Sequence, residues 1–220
     1  MRKLLFLLVA FIIVTGDMKA HAWVFVPDNG DTGWQTYVYQ TGPAGFTGTA
    51  GFVVSNVIDD SAYSELLLDN LSHGGGSANR DFELGDYSGY TLWGDSCAEV
   101  TGSVMAYSGT IYTAVQGEYF SHQLGLGTGV STAAFQNARR QVGTTGCILE
   151  TSISLPPKSR FTFNWTFLAG DQSPWNDFAL FYLKDTDGKV VFSEGLAQIG
   201  ATPASAPVSA AILLLLEAGF

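Results

Sequence analysis

The sequence predicts an all-β protein, a single antiparallel β-sandwich with little helix. Charged residues make up only 14% of the 220 residues, whereas the chain has 26 glycines and 13% aromatic residues. Glycine-rich turns separate short segments in which apolar and polar residues alternate, as expected for strands with one buried face. Regularly spaced short strands of this kind are typical of a sandwich.

The first half of the chain contains runs that we predict as strands. They are WQTYVYQT (34–41), GFTGTAGFVVSN (45–56), SELLLDNL (64–71) and CAEVTGSVMAY (97–107). The glycine-rich stretch SHGGGSANRD (72–81) predicts a long loop rather than a domain boundary, because a domain of about 50 residues before it would be marginally stable alone.

The second half continues the pattern and contains its clearest strand. The predicted strands are CILETSISL (147–155), RFTFNWTFL (160–168), DFALFYLKD (177–185) and KVVFSEG (189–195). In the second of these, one face carries Phe161, Phe163, Trp165 and Phe167. The turn DTDG predicts that the last two strands form a hairpin. TAAFQNARRQ (132–141) fits either a few helical turns or a loop with a strand.

Both chain ends differ from this pattern. Residues 1–22 have a basic start, an apolar run from Leu4 to Val14 and a small-residue cleavage motif, AHA, which together predict a secretory signal peptide. The sandwich domain is then predicted at 23–200. Residues 201–220 form a Pro/Ala/Ser spacer and a short apolar tail, whose run from Ala210 to Leu216 is too short to span a bilayer. We therefore expect a secreted, extracellular or cell-surface protein without a firm membrane anchor.

The charge of the chain limits its partners. The formal net charge is −10, and cleavage would remove Arg2, Lys3, Lys19 and Asp17, which leaves −12. So acidic a protein is unsuited to nucleic acid and to anionic membranes. It suits calcium or polycationic partners, although a need for solubility explains the charge equally well.

The chain has two cysteines, Cys97 and Cys147, and each one opens a strand-like run after a turn. An even number of cysteines in an exported chain predicts a disulfide. By the loop-entropy relation, such a bond would stabilise the fold by about 3–4 kcal/mol. Metal binding by these cysteines is disfavoured, because no second Cys or His lies at ligand spacing.

Three clusters of acids and amides offer oxygen ligands for a hard cation such as calcium. They contain Asp81, Glu83 and Asp86; Asp171, Asn176 and Asp177; and Asp28 and Asp31. None has EF-hand spacing, and turn or capping roles explain most of these residues equally well. Glu83 and Asp177 are the favoured ligands because each adjoins an aromatic residue of a predicted strand, where an unpaired buried carboxylate would cost several kcal/mol.

Aromatic and acidic residues raise two further possibilities. Trp175, Trp93 and Tyr90 could stack on sugar rings, although core packing is the competing role for each. A glycosidase would need two carboxylates facing each other across a sugar, and the sequence pairs none of its acids. Only two histidines follow the predicted signal peptide. We therefore expect a protein that is not an enzyme.

Three motifs carry a family resemblance over about residues 34 to 200: GTAGFVVSNVIDDSAYSELLLDNLS, NRDFELGDYSGYTLWGDS and FNWTFLAGDQSPWNDFALFYL. In this order they resemble the ectodomains of bacterial exosortase-sorted (PEP-CTERM-type) proteins. The middle motif is also similar to a strand of carbohydrate-binding-module jelly rolls. That resemblance implies a jelly roll in which Glu83 and Asp177 share a structural calcium ion.

The tail matches this family only in part. It has the spacer and the apolar start, but it lacks a Pro-Glu-Pro motif and a basic end, and it carries Glu217. The resemblance implies a non-catalytic protein of the cell surface or extracellular matrix, active in adhesion or biofilm, with exosortase processing as a further expectation. The alternative is a carbohydrate-binding module with affinity for extracellular polysaccharide, and a glycan-active enzyme comes third.

Overall fold

The structure of the protein is a computed structural model that describes residues 23–59, 62–72, 79–94, 96–126 and 129–201. The predicted signal peptide (1–22) and the tail from residue 202 onward lie outside the described residues. Within those residues no helix is long and apolar enough to cross a membrane.

The described residues form fourteen strands and no α-helix. In chain order the strands are β1 (Val24–Val26), β2 (Gln35–Gln40), β3 (Phe46–Ser55), β4 (Glu65–Ser72), β5 (Tyr90–Trp93), β6 (Ala98–Thr101), β7 (Ser103–Met105), β8 (Ile111–Thr113), β9 (Phe120–Leu124), β10 (Val130–Ser131), β11 (Thr145–Leu155), β12 (Arg160–Leu168), β13 (Phe178–Lys184) and β14 (Val190–Ile199).

Two sheets and a hairpin account for these strands. The seven-stranded sheet has the order β1-β14-β13-β3-β11, and the far edge of β11 pairs with both β5 and β10. The five-stranded sheet has the order β2-β12-β4-β9-β6. Its strands are antiparallel, whereas β1 pairs with β14 in parallel. The chain crosses repeatedly from one sheet to the other, as in jelly-roll sandwiches.

Aromatic rings from both sheets meet in the main hydrophobic core. Phe163 of β12 lies 4.9 Å, between ring centroids, from Phe52 of β3, and Tyr37 of β2 lies 5.3 Å from Phe181 of β13. Tilted and edge-on aromatic pairs of this kind add about 0.5–1.5 kcal/mol each beyond their area burial. This core confirms the predicted β-sandwich.

The β7–β8 hairpin covers the outer face of the five-stranded sheet. Ala106 and Tyr112 of this region pack in one cluster with Leu67 and Phe120. Thr166 pairs with Leu67 across the sheet and is fully buried. The prediction for 160–168 was therefore correct for its four core aromatic residues, which all lie in the main core. It was wrong in assigning that strand only one buried face.

Each of the eight predicted strand segments contains an observed strand, and the segment 97–107 is divided between β6 and β7. The hairpin at DTDG is confirmed, because β13 and β14 are antiparallel and Gly188 closes the turn at φ 81°. Residues 132–141 form turns and an isolated bridge from Gln136 to Val142, so the helical alternative was wrong.

The FELGD segment (82–86) is a turn, which corrects the strand that the family resemblance implied. The side chain of Asn79 holds this turn at two points. Its amide nitrogen donates to the Asp86 carbonyl at 2.7 Å, and its amide oxygen accepts the Leu84 N–H at 3.0 Å. Side-chain bonds of this sort give the backbone an alternative to a strand ladder.

The disulfide between Cys97 and Cys147 is confirmed, with a Cα–Cα distance of 5.5 Å. Cys97 immediately precedes β6 in the five-stranded sheet, whereas Cys147 belongs to β11 in the seven-stranded sheet. Both residues are fully buried in the main core. The bond therefore joins the two sheets across the interior of the sandwich.

Candidate functional site

An exposed tryptophan stands at the edge of the seven-stranded sheet. In β5 the side chains alternate: Tyr90 and Leu92 pack against the core, whereas Thr91 and Trp93 face outward. Trp93 retains 49% of its surface exposed. Tryptophan combines a large apolar ring with a polar N–H group and is enriched at interfaces, so an exposed one is a candidate contact surface for a ligand.

Glu150 of β11 fixes the orientation of this tryptophan. The indole nitrogen of Trp93 donates to Glu150 Oε2 at 2.8 Å. The other carboxylate oxygen, Oε1, accepts the Lys184 ammonium at 2.5 Å and also the Tyr182 hydroxyl. Glu150 is only 8% exposed, so it forms the buried anchor of an exposed ring.

The protonation state of Glu150 follows from these contacts. Burial raises the pKa of the Glu150 carboxyl, but hydrogen bonds from Lys184, Tyr182 and Trp93 outweigh burial and hold the pKa below its usual value. The carboxylate is therefore ionised at neutral pH. Charge-assisted hydrogen bonds of this kind are about twice as strong as neutral ones, which makes the cluster rigid.

A shallow polar groove of 310 Å³ runs beside this cluster. Its lining is rich in hydroxyl groups and consists of Thr49, Gly89, Tyr90, Thr91, Glu150, Thr151 and Ser152. Side-chain hydroxyls can donate hydrogen bonds to sugar hydroxyls and accept them, and an ionised carboxylate can accept them. An aromatic ring next to such a lining is an arrangement suited to a carbohydrate.

Tyr90 contributes to the groove differently from the prediction that its ring stacks on a ligand. One side of the ring is stacked on Phe82 at a centroid distance of 4.9 Å. Its hydroxyl donates to the Arg80 carbonyl at 3.2 Å, and the ring packs against the main core. Tyr90 therefore supports the wall of the groove, whereas Trp93 presents its ring to solvent.

Asp177, the favoured calcium ligand, is fully buried at the start of β13. Its Oδ1 accepts the Val57 N–H at 3.0 Å, and its Oδ2 accepts both the N–H and the hydroxyl of Ser64 at 3.1 and 3.0 Å. Burial and the nearby charge of Asp171 raise the pKa of Asp177 to about 8, despite these hydrogen bonds. The residue ties the loop after β3 and the start of β4 to β13.

Glu83 occupies a different place. Its carboxylate accepts the backbone N–H groups of Glu118 and Tyr119 at 2.9–3.0 Å. Asp69 supports the same loop, because its Oδ2 accepts the N–H groups of Val115 and Gln116 at 2.6 and 3.0 Å. The two carboxylates together hold residues 115–119 against the end of β4.

The structure does not bring Glu83 and Asp177 together. Asp177 is bonded to Ser64, just before β4, whereas Glu83 lies near Asp69, whose pKa its charge helps to raise. Asp69 lies five positions after Ser64 along the strand, a distance of about 16 Å. Each carboxylate binds backbone N–H groups of a different loop: Asp177 accepts those of Val57 and Ser64, and Glu83 those of Glu118 and Tyr119. The shared calcium ion implied by the family resemblance stays a prediction, and these contacts do not support it.

The weaker candidates also have defined contacts. Asp81 Oδ1 lies 3.5 Å from the Glu83 nitrogen, and Asp86 Oδ1 accepts the Ser88 N–H at 2.9 Å. Asp28 Oδ1 accepts the Ser173 N–H at 3.1 Å. The turn and capping roles weighed for these acids account for these contacts.

Asp31 fastens the hairpin to the sandwich. It accepts hydroxyl groups from Ser108 at 2.6 Å and from Tyr112 at 2.5 Å. Across the described ranges, no three side chains of Asp, Glu, His or Cys converge as a metal-binding group.

Trp175, Asp171 and Asn176 lie together at one end of the sandwich. Trp175 and Asp171 line a second depression of 380 Å³ with Asn29, Asp59, Ala62, Gly170 and Gln172. Asn176 is buried nearby and donates to Gln141 Oε1 and the Pro174 carbonyl, each at 2.8 Å. The structure thus places Trp175, predicted as a sugar-stacking ring, beside Asp171, predicted as a calcium ligand, and both roles stay predictions.

A histidine cluster on the five-stranded sheet was not predicted from the sequence. His122 Nε2 lies 2.7 Å from Glu65 Oε2, and its Nδ1 lies 3.2 Å from Glu99 Oε1. Burial lowers the pKa of His122, but the hydrogen bonds and charges of Glu65 and Glu99 outweigh burial and raise it above the usual value. Tyr107 donates to the other oxygen of Glu65 at 3.0 Å.

The residues that sequence reasoning missed are Glu150, Tyr182 and Lys184. Glu150 lies between Leu149 and Thr151 in β11, and all three residues are buried. An acid within a predicted strand was the sequence signal that could have identified it. The cross-strand register that joins it to β13 was not visible, because Tyr182 and Glu150 both pair with Gly51 of the intervening strand.

Comparison of the chain with protein-family profiles, curated proteins and solved structures finds no match.

Proposed function

We propose that this protein is an exported, non-catalytic β-sandwich that binds polysaccharide in the groove beside Trp93, and that it acts in adhesion or in an extracellular matrix. The observation that carries the proposal is the exposed Trp93 ring, held by Glu150 next to a hydroxyl-lined groove. The proposal combines two roles predicted from the sequence, that of a carbohydrate-binding module and that of a protein of the cell surface or matrix.

The anchored ring supports binding because it is already oriented. A tryptophan that must stop rotating on binding loses about 0.5–1.5 kcal/mol of affinity, and an anchored one avoids much of that cost. Glu150 is itself held by Lys184 and Tyr182, so the support reaches two strands away. Rigid support of this kind is a general requirement of a functional site.

A non-catalytic role is supported by the state of Glu150. A glycosidase needs one carboxyl group that stays protonated to act as an acid and a second carboxylate across the sugar. Glu150 is ionised and accepts hydrogen bonds from three donors. No other described residue that lines the groove carries a carboxylate. Its role is better explained as the anchor of Trp93.

Export is supported by the disulfide and by the start of the sequence. A buried disulfide that joins two sheets is formed and kept in oxidising compartments such as the periplasm or the extracellular space. The signal-peptide pattern of residues 1–22 agrees with that environment. Exosortase processing of the tail remains a separate proposal that rests on the family resemblance.

The proposal is tested by affinity electrophoresis in gels that contain soluble polysaccharides, together with pull-down on insoluble ones. We expect wild type to be retained by at least one polysaccharide. Trp93→Ala should weaken binding about tenfold or more, since loss of 1.4 kcal/mol corresponds to a factor of ten. Trp93→Phe keeps a ring but loses the bond to Glu150, so it should fall between the two.

Trp175→Ala is the matched control, because Trp175 lies in the other depression. It should bind as wild type does. Absence of binding to every polysaccharide, or equal binding by wild type and Trp93→Ala, would overturn the proposal. Equal thermal melting of the variants shows that a loss of binding is not a loss of fold.

A further inference from the structure

The depression at the end of the sandwich that contains Trp175 has a chemistry unlike the Trp93 groove. It encloses 380 Å³, and its polar lining is acidic and amide in character: Asn29, Asp59, Asp171 and Gln172. The side chains that line it therefore offer oxygen atoms and no described ammonium or guanidinium group. This arrangement attracts cations rather than sugars.

One carboxylate in this lining lacks a partner. Asp171 is only 6% exposed. Its Oδ1 accepts the N–H of Gln172 at 2.7 Å, whereas its Oδ2 is buried and has no hydrogen-bond partner among the described residues. Leaving a buried charged oxygen unpaired costs several kcal/mol, so such an atom calls for an unseen water or ion.

The surroundings of Asp171 add negative charge instead of compensating it. Burial raises the pKa of the Asp171 carboxyl, and the charges of Asp59 and Asp28 raise it further. Asp177 lies behind it, fully buried, and feels the charge of Asp171 in turn. Asp171 thus interacts with three other acids at this end of the sandwich: Asp28, Asp59 and Asp177.

We propose that a divalent cation of the calcium type binds in this depression, with Oδ2 of Asp171 and the Asp59 carboxylate as its charged ligands. The amide oxygens of Asn29 and Gln172 and bound water would complete the six to eight oxygen ligands that calcium takes. The cation neutralises the acids that otherwise repel one another, and it fastens the loop after β1 and the loop after β3 to the β12–β13 connection.

This site differs from the Glu83 and Asp177 pair that the sequence predicts. It needs two carboxylates, supplemented by amide oxygens and water. That composition is compatible with the lack of any group of three acidic, histidine or cysteine ligands in the described residues. Asp177 keeps its own hydrogen bonds to Val57 and Ser64. It would therefore interact with the cation electrostatically and would not be one of its ligands.

The test uses terbium(III) and calcium as probes of the full chain. Bound terbium is excited by energy transfer from a nearby indole, and Trp175 lines the depression. Wild type should therefore show terbium emission when its tryptophans are excited, and excess calcium should quench it. At a calcium concentration of about 100 times Kd, the melting temperature should rise by about 5–10 °C over its value in chelator.

Three variants separate the possible outcomes. Asp171→Asn should lose both the emission and the calcium shift, yet melt in chelator no lower than wild type, because the substitution removes repulsion. Trp175→Phe should lose the emission but keep the shift. Asp187→Asn removes the same charge from the exposed turn between β13 and β14 and should behave as wild type in both measurements.

The proposal is overturned if wild type shows neither emission nor a calcium shift, or if Asp171→Asn retains both. Its outcome is independent of polysaccharide binding at Trp93, which is measured separately in chelator and in calcium.

Discussion

A β-carbon placed on Gly51 would lie 2.1 Å from Cζ of Tyr182, because the tyrosine ring rests directly on the glycine backbone. Gly51 pairs with Tyr182 on one side and with Glu150 on the other. The missing side chain on the middle strand thus lets Tyr182 reach across β3 to the carboxylate that anchors Trp93.

Gly51→Ala should therefore displace Tyr182 and loosen the anchor of Trp93. We expect the free energy of unfolding, measured in urea, to fall by about 1–3 kcal/mol, as for other overpacked sites. Binding of polysaccharide should weaken as well. Gly42→Ala is the control: a β-carbon there meets no atom within 4 Å, so its effect should stay within about 0.5 kcal/mol. An equal loss in both variants would contradict the steric explanation.

Removal of the disulfide should destabilise the sandwich considerably. The bond spans 50 residues of sequence, and the double variant Cys97→Ala/Cys147→Ala should lose about 3–4 kcal/mol of unfolding free energy by the loop-entropy relation. Guanidinium unfolding of the variant, with reduced wild type beside it, measures this loss. If oxidised and reduced wild type unfold at the same concentration, the bond adds nothing to stability.

His122 should make stability depend on pH in the neutral range. Its pKa is raised above 6.5 in the folded state by Glu65 and Glu99, against the effect of burial. The stabilisation is therefore complete below about pH 6.5 and is lost as pH rises through the folded pKa. Urea unfolding from about pH 6 to about pH 9 should show a declining free energy of unfolding.

His122→Gln is the comparison for this dependence. It cannot take up the proton, so the difference between wild type and variant should shrink as the pH rises. The groups that face His122 are Glu65 and Glu99, with Tyr107 bonded to Glu65, and they remain in the variant. A difference that stays constant over this range would show that the imidazole does not titrate there.

Glu83 should stabilise the loop of residues 115–119 without a metal. Glu83→Ala removes the acceptor of the Glu118 and Tyr119 N–H groups, so we expect a loss of about 1–3 kcal/mol of unfolding free energy. The loss should be the same in calcium and in chelator. Hydrogen exchange of residues 118 and 119 should become faster. A loss seen only in calcium would restore Glu83 as a ligand.

The sequence predicted correctly those features that depend on a single strand or a single turn. Period-two alternation located all eight predicted strand segments, and the turn DTDG identified the β13–β14 hairpin. It failed at FELGD, because the side-chain bonds of Asn79 that fold this segment into a turn are not a periodic signal. It also missed the second buried face of β12, since the hairpin that covers it comes from β7 and β8.

The site was less predictable because its parts come from separate strands. Trp93 was identified as a candidate because its ring could stack on a sugar, but its anchor Glu150 lies 57 residues further along the chain. The pairing of Glu83 with Asp177 required two loops to meet, and β4 holds them apart. Residue type therefore revealed ligand-forming groups, whereas strand register decided which of them lie together.

The position of β5 has a mechanical consequence. Trp93 lies in the same sheet as β14, which leads to the C-terminal end of the described chain. If a bound polymer pulls on Trp93 while the chain is held from that end, tension passes through the ladders that connect β5, β11, β3, β13 and β14. A pull along the strands loads many hydrogen bonds of these ladders at once instead of opening them one by one. Under such a load, the sheet would resist in shear across several strands.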